Sequence, residues 1–301
     1  MTSADQQFSV DGASACFATL AFGRDYRYHA ERLALDFAVH ASHFPLVMLV
    51  DRPQDIMPRP NLRTLLYRPE GALRRYHDKR LLVRAGLDAG YATVVVIDAN
   101  SRLVEKLPDM LELRKGVNAF ITQPVLEHLR EEEAAASTRK RFASTAHQRR
   151  CLERAAQSLG LSLENVTFIQ ESIYALHGPE DILRQFVECW GRLGHFMDYH
   201  GLAWSEGFAI GLAAAAVGLD VHENRFLPMN CFYKHRLHGA ALARGQLEAP
   251  RVLQAQEDAR LLARFMRRHP LNSRLRSLYS TASMAARWAA CRMSGEPRLL
   301  S

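Results

Sequence analysis

Residues 93–97 read Thr-Val-Val-Val-Ile, an unbroken β-branched run that ends in Asp98. Branching at Cβ stiffens the side chain and favours extended backbone. A run with no polar alternation has to be covered on both faces, which is the situation of a central strand in a parallel sheet. Such a strand needs companions and helical cover, and the flanking sequence supplies both. Residues 15–22 and 44–50 are two further short apolar runs, closed by Gly23 and by Asp51-Arg52-Pro53, and residues 63–67 form a third candidate strand. Between the first two, Ala30, Leu33, Ala34, Phe37 and Ala41 follow helical spacing, and residues 70–89 read as a helix stopped at Gly90. Strands alternating with helices predict βαβ units, hence an α/β fold with a mostly parallel sheet and helices on both faces.

Beyond this core the pattern becomes more helical. Residues 117–122 and 165–174 read as strands, with short segments around Val221 and Phe232. Residues 127–159, 181–199 and 206–217 read as helices, as do 251–269 and a last stripe through Leu275, Leu278, Tyr279, Ala282, Ala286, Ala289 and Met293. The expected division is a flexible N-terminus over 1–13, a main domain over 14–245 and a basic helical C-terminal extension over 246–301. Charge follows this division: the 301 residues carry a net +7, and the segment from Arg251 onward, with ten Arg and three acids, accounts for all of it. A balanced main domain argues against a nucleic-acid groove, whereas an Arg-rich tail interleaved with Leu, Phe and Trp288 suits either packing on the domain or contact with anionic membrane. The longest apolar stretch, residues 207–219, has 13 residues, short of the roughly 20 that span a bilayer. Five scattered cysteines (Cys16, Cys151, Cys189, Cys231, Cys291) with no CxxC pair, and a polar start without a signal-peptide pattern, lead us to expect a cytoplasmic protein that can touch the inner membrane face.

In an open parallel sheet, ligands bind beyond the carboxyl ends of the strands. The strongest strand here runs into Asp98-Ala99-Asn100. A carboxylate and an amide oxygen two residues apart can offer two hard ligands to Mg²⁺ or Mn²⁺, leaving further positions for diphosphate oxygens. The plain alternative is a strand-ending Asp that caps the following turn. Downstream, Trp204-Ser205-Glu206-Gly207 opens an Ala-rich helix. Ser205 can serve there as N-cap with Glu206 as a first-turn acid, or Glu206 can act on a substrate hydroxyl.

Set together, these segments carry a resemblance. Asp51 closes the second strand, Tyr76-His77-Asp78-Lys79-Arg80 precedes the Val-Val-Val-Ile-Asp98-Ala-Asn100 strand, and Trp204-Ser-Glu206-Gly and Lys234-His235-Arg236-Leu237-His238-Gly239 follow it. Over residues 15–239 the chain resembles glycosyltransferases of the GT-A type, in particular the glycogenin-like and galactosyltransferase-like branch, which move a sugar from a nucleotide diphosphate donor. The resemblance implies a GT-A-like (Rossmann-like) fold, a nucleotide-sugar donor, a glycan or lipid-linked acceptor and Mn²⁺ or Mg²⁺ as cofactor. It implies that Asp98 contacts the metal or the donor ribose, Asn100 the metal or the diphosphate, and that Asp51 lies near the nucleotide. Lys79 would reach the donor from the side, unless it belongs to a solvated helix face with Arg75 and Arg80. Glu206 would face the acceptor hydroxyl, with Glu171 as the rival, and Trp204 would offer a stacking surface. His238 would complete the metal site and Lys234 would hold the departing diphosphate, unless the segment is merely structural. The family's metal motif is Asp-x-Asp. Asn100 keeps an oxygen there but loses a charge, so the metal is bound more weakly or is not needed. A nucleotidyltransferase would need a Gly-rich loop where Phe22-Gly23-Arg24-Asp25-Tyr26 stands, and a nicotinamide enzyme would need GxGxxG.

Overall fold

Alternate residues of the central strands leave the sheet in opposite directions, and both sets are buried. Cys16, Ala18, Val47, Leu49, Val94 and Val96 pack into one apolar cluster, and Ala15, Phe17, Leu46, Met48, Val95 and Ile97 into another. This double burial is why the strands read as continuous apolar runs. The computed structural model describes residues 6–70, 76–135, 139–202, 205–228 and 231–233, together with 289, 293, 295, 296 and 299.

In chain order the elements are strands β1 (Gln7–Val10) and β2 (Ala15–Ala21), helix α1 (Arg24–His40), strands β3 (Leu46–Val50) and β4 (Leu62–Leu66), and helix α2 (Arg80–Asp88). There follow β5 (Thr93–Ile97), β6 (Arg102–Leu103), β7 (Leu111–Arg114), β8 (Gly116–Ala119), β9 (Thr122–Pro124) and helices α3 (Val125–Ala134) and α4 (Arg139–Ser158). The described part closes with β10 (Thr167–Ile169), β11 (Ile173–His177), α5 (Glu180–Tyr199), α6 (Glu206–Ala216), β12 (Val221–Glu223) and β13 (Phe232–Tyr233). The main sheet has seven strands in the order β12-β8-β11-β5-β2-β3-β4. All run parallel except β11, which is antiparallel to both β5 and β8. The protein is therefore α/β with a mostly parallel sheet. Helix α1 supplies Ala30, Leu33 and Phe37 to one face, and α2, α5 and α6 supply Leu82, Trp190 and Ile210 to the other.

Four expectations are revised. Residues 7–10, expected within a flexible N-terminus, form β1, which pairs antiparallel with β7 and buries Val10. The single strand expected over 165–174 is two strands in different sheets, β10 on β9 and β11 in the main sheet. The bend between them is held by Gln170 and Ser172, whose side chains and backbone bond each other at 2.6 and 3.3 Å. Likewise the strand expected over 117–122 divides into β8 and β9. In the helix expected over 70–89, the described part opens with a tight 3-10 turn over His77–Lys79 before α2 begins at Arg80. The buried Asp78 carboxylate explains that turn: it accepts from the Glu70 backbone N–H at 3.0 Å and from the Tyr67 hydroxyl at 2.5 Å, so it ties the turn to the preceding loop. The expected helices over 251–269 and 275–293, and residues Arg75, Trp204, Lys234, His235 and His238, lie outside the described residues or, in the last helix, largely so.

Candidate functional site

Chain order and spatial order part company at β2. The chain goes from β2 outward to β3 and β4, then crosses to β5 on the other side. Neighbouring loops diverge at such a reversal and leave a crevice beyond the strand ends. Asp98 follows β5 directly at this edge. Because β11 enters antiparallel with Ile173 opposite Ile97, the residues before β11 lie beside Asp98, and the Asp98 N–H donates to the Ser172 carbonyl at 3.0 Å.

The 3-10 turn brings a cation to the same point. Lys79 Nζ lies 2.7 Å from Asp98 Oδ1 and 3.2 Å from Glu206 Oε1, and it donates to the Glu171 carbonyl at 3.3 Å. Its position is set by the residues around it in the chain. His77 Nδ1 accepts the Trp190 indole N–H at 3.3 Å, and Arg80 donates to Glu70 at 2.6 Å. Helix α5 comes close enough for this because it carries Gly191 and Gly194 where it meets the turn. A Cβ at Gly194 would stand 2.7 Å from the His77 Cβ, and one at Gly191 would stand 2.8 Å from Arg80 Nε.

Glu206 arrives from the opposite side on the first turn of α6. That helix lies directly on the backbone of β10: a Cβ at Gly207 would be 2.2 Å from the Ile169 carbonyl oxygen, and one at Gly211 would be 1.9 Å from that of Thr167. The expected Ser205 cap is not made, since its side chain forms no capping hydrogen bond. Tyr174 on β11 completes the floor, fully buried and with its hydroxyl unpaired among the described residues.

Exposure grades the group from mouth to floor. The side chains of Asp98 and Lys79 are 21% and 12% accessible and that of Glu206 only 2%. Burial pushes the Glu206 carboxyl well above the ordinary carboxylate range; Lys79 opposes this, while Glu171 and Asp98 reinforce it. Burial alone would lower the Lys79 ammonium, but Asp98, then Glu206 and Glu171, outweigh it and hold it well above the usual lysine value. Burial, then the Glu206 charge, raises Tyr174 as well. The site thus presents a permanent cation bracketed by Asp98, with a buried acid beneath that favours its neutral form. Apart from the 3.2 Å ion pair with Lys79, the Glu206 oxygens make no hydrogen bond among the described residues.

Four residues singled out in the sequence therefore meet: Lys79, Asp98, Glu171 and Glu206. Asn100 is exposed on the turn two residues past Asp98. Asp51 stands apart from the group, its carboxylate taken up by Arg27 at 2.7 and 2.8 Å and by the Gly23 N–H at 3.1 Å, where it fastens the start of α1. The expected metal ligand His238 and the expected phosphate contact Lys234 lie outside the described residues. Sequence reading missed Tyr174, which looks like any core aromatic, and the His77–Trp190 support. The signal within reach was the glycine spacing on α5 and α6, since glycines inside long helices call for a close neighbour. Among the described residues no three His, Cys, Asp or Glu side chains gather in a way that would hold a metal ion, and no helix is long and apolar enough to cross a membrane. No protein-family model matches the chain, and no curated protein matches it significantly.

Proposed function

We propose that the protein is a glycosyltransferase of the GT-A type, which transfers a sugar from a nucleotide diphosphate donor to a hydroxyl on a glycan or lipid-linked acceptor. The observation that carries this reading is the Lys79–Asp98 pair at the carboxyl end of β5, beside the reversal in strand order. A donor lying across that crevice would meet an ammonium suited to a phosphate as a point charge and a carboxylate suited to ribose or sugar hydroxyls. As the donor bond breaks, negative charge collects on the leaving diphosphate, and a fixed cation stabilises that charge more than it stabilises the ground state. Asn100, exposed at the mouth, would contact the diphosphate, and Asp51 at the end of β3 the nucleotide side.

Of the two acids, Glu171 takes the acceptor side in this reading. Its side chain is half-buried, between β10 and β11, whereas Glu206 is sealed and engaged with Lys79. Glu206 is then a positioning residue that holds the ammonium from below. The protein would work in the cytoplasm, with the Arg-rich C-terminal segment available to anionic membrane.

A thermal-shift panel of UDP-, GDP-, CMP- and dTDP-sugars tests the donor half of the proposal. A ligand that binds only the folded state raises stability by RT ln(1 + [L]/Kd), so donor at about 100 times its Kd adds roughly 3 kcal/mol. One nucleotide class should raise the melting temperature, and Asp98→Ala should abolish that shift while the protein stays folded. An Asp98→Ala protein that binds every donor normally would end the assignment.

A further inference from the structure

The family resemblance calls for Mn²⁺ or Mg²⁺ between the Asp-x-Asp carboxylates and the diphosphate, and the described residues at Asp98 do not fit that ion. Three observations point the same way. Asp98 Oδ1 is 2.7 Å from the Lys79 ammonium. The buried Glu206 carboxyl lies 3.2 Å from that same ammonium. Where the motif has its second acid stands Asn100, which brings no negative charge to offset a dication beside Lys79. A divalent ion at Asp98 would face a unit positive charge a few ångströms away, close enough for like charges to repel strongly.

We infer that Lys79 is the site's resident cation, taking the place of the divalent ion, so that the diphosphate is bound and released without a metal. What Lys79 serves rests on the donor reading above. That it excludes a metal from Asp98 does not. The ammonium is fixed from three directions: Asp98, Glu206 and the Glu171 carbonyl. Its backbone is fixed as well, because His77 and Arg80 on either side pack against the glycines of α5. A mobile surface lysine would have to be ordered when the phosphate arrives. This one is already ordered, which is what preorganised stabilisation of a leaving group requires.

The test measures metal binding on the full chain with no donor present, so its outcome stands apart from whether the protein transfers sugar. Mn²⁺ is titrated into wild type, Asp98→Asn and Lys79→Ala, and bound ion is read by electron paramagnetic resonance. Wild type should show no Asp98-dependent binding up to about 1 mM, the weak end of protein sites for divalent cations. Lys79→Ala, which removes the cation beside Asp98, should gain one bound Mn²⁺ with at least tenfold higher affinity. A wild-type site that binds Mn²⁺ below about 1 mM and loses it in Asp98→Asn would overturn the inference. So would a folded Lys79→Ala protein that binds no Mn²⁺. Should Lys79→Ala fail to fold, the comparison of wild type with Asp98→Asn decides alone. If no nucleotide sugar shifts the melting temperature, the donor reading falls and the Mn²⁺ comparison keeps its meaning.

Discussion

Glu206 departs from ordinary carboxylate behaviour because it is buried. Its carboxyl is buried and its pKa is raised from 4.5. In the folded protein it therefore keeps a proton that the unfolded chain has given up. Stability from this group is fully present below the ordinary glutamate value and is lost as pH rises through the folded value. Glu206→Gln, which imitates the neutral acid, should abolish that component. The melting temperature of wild type minus that of Glu206→Gln should fall as pH rises from about 4.5, and a difference that is flat or rises with pH would show that Glu206 is ionised in place. Residue-scale sterics make a second prediction. At Gly211 an added methyl would meet the Thr167 carbonyl oxygen at 1.9 Å, and a β10 backbone atom cannot swing aside. Gly211→Ala should cost about 2 kcal/mol or more in urea unfolding, although alanine is the better helix former by about 1 kcal/mol. A stabilised Gly211→Ala protein would mean that α6 does not lie against β10. At this scale several residues that meet there were legible: Asp98 from the strand it closes, Lys79 and Glu206 from the segments that carry the resemblance, and Glu171 as the rival acid at a strand end. Their meeting around one nitrogen was not legible, because it depends on helix approach distances that residue types alone do not state.

Among the elements, the His77–Lys79 turn and the glycine-bearing face of α5 matter most to the site. Trp190 can donate to Nδ1 only if His77 is neutral there, and burial, then Arg80 and His195, lower its pKa from 6.5 to about 3. The unfolded chain takes up this proton near pH 6.5 while the folded one resists it down to about pH 3. Stability is therefore present above pH 6.5 and drains away as pH falls through that window, by about 2 kcal/mol at pH 5. His77→Gln should flatten this acid slope whatever its effect at pH 7; a slope that survives the substitution would assign it to other groups. The short apolar runs behind β2, β3 and β5 and the periodicity behind α1 could be read because burial on both faces of a sheet, or on one stripe of a helix, leaves a plain pattern, whereas α6, buried all round from Glu206 to Ala214, showed itself by its alanine content. The split of residues 165–174 between β10 and β11 could not, since the two strands are equally apolar and only the Gln170–Ser172 bend separates them. The β1–β7 pair was hidden for the opposite reason: its alternation of buried and exposed positions is only four residues long.

At the scale of the molecule, six strands pointing one way gather their carboxyl ends on one edge, and the reversal in order between β3, β2 and β5 opens the crevice there. The reversed strand β11 delivers Glu171 and Tyr174 to the same edge, and α6 closes it from behind with Glu206. The fold class and its parallel core were legible in the rhythm of strands and helices, while the reversed strand was not, because direction leaves no mark in composition. In the proposed function this edge receives a nucleotide sugar through Lys79 and Asp98. The most direct measurement is a calorimetric titration of nucleotide sugars into wild type and into Lys79→Met, which preserves the length of the side chain and removes its charge. The account predicts one-to-one binding of one nucleotide class to wild type, weakened at least tenfold in Lys79→Met, a loss of about 1.4 kcal/mol or more. Equal affinity in the two proteins, or no binding of any nucleotide sugar to wild type, would contradict it.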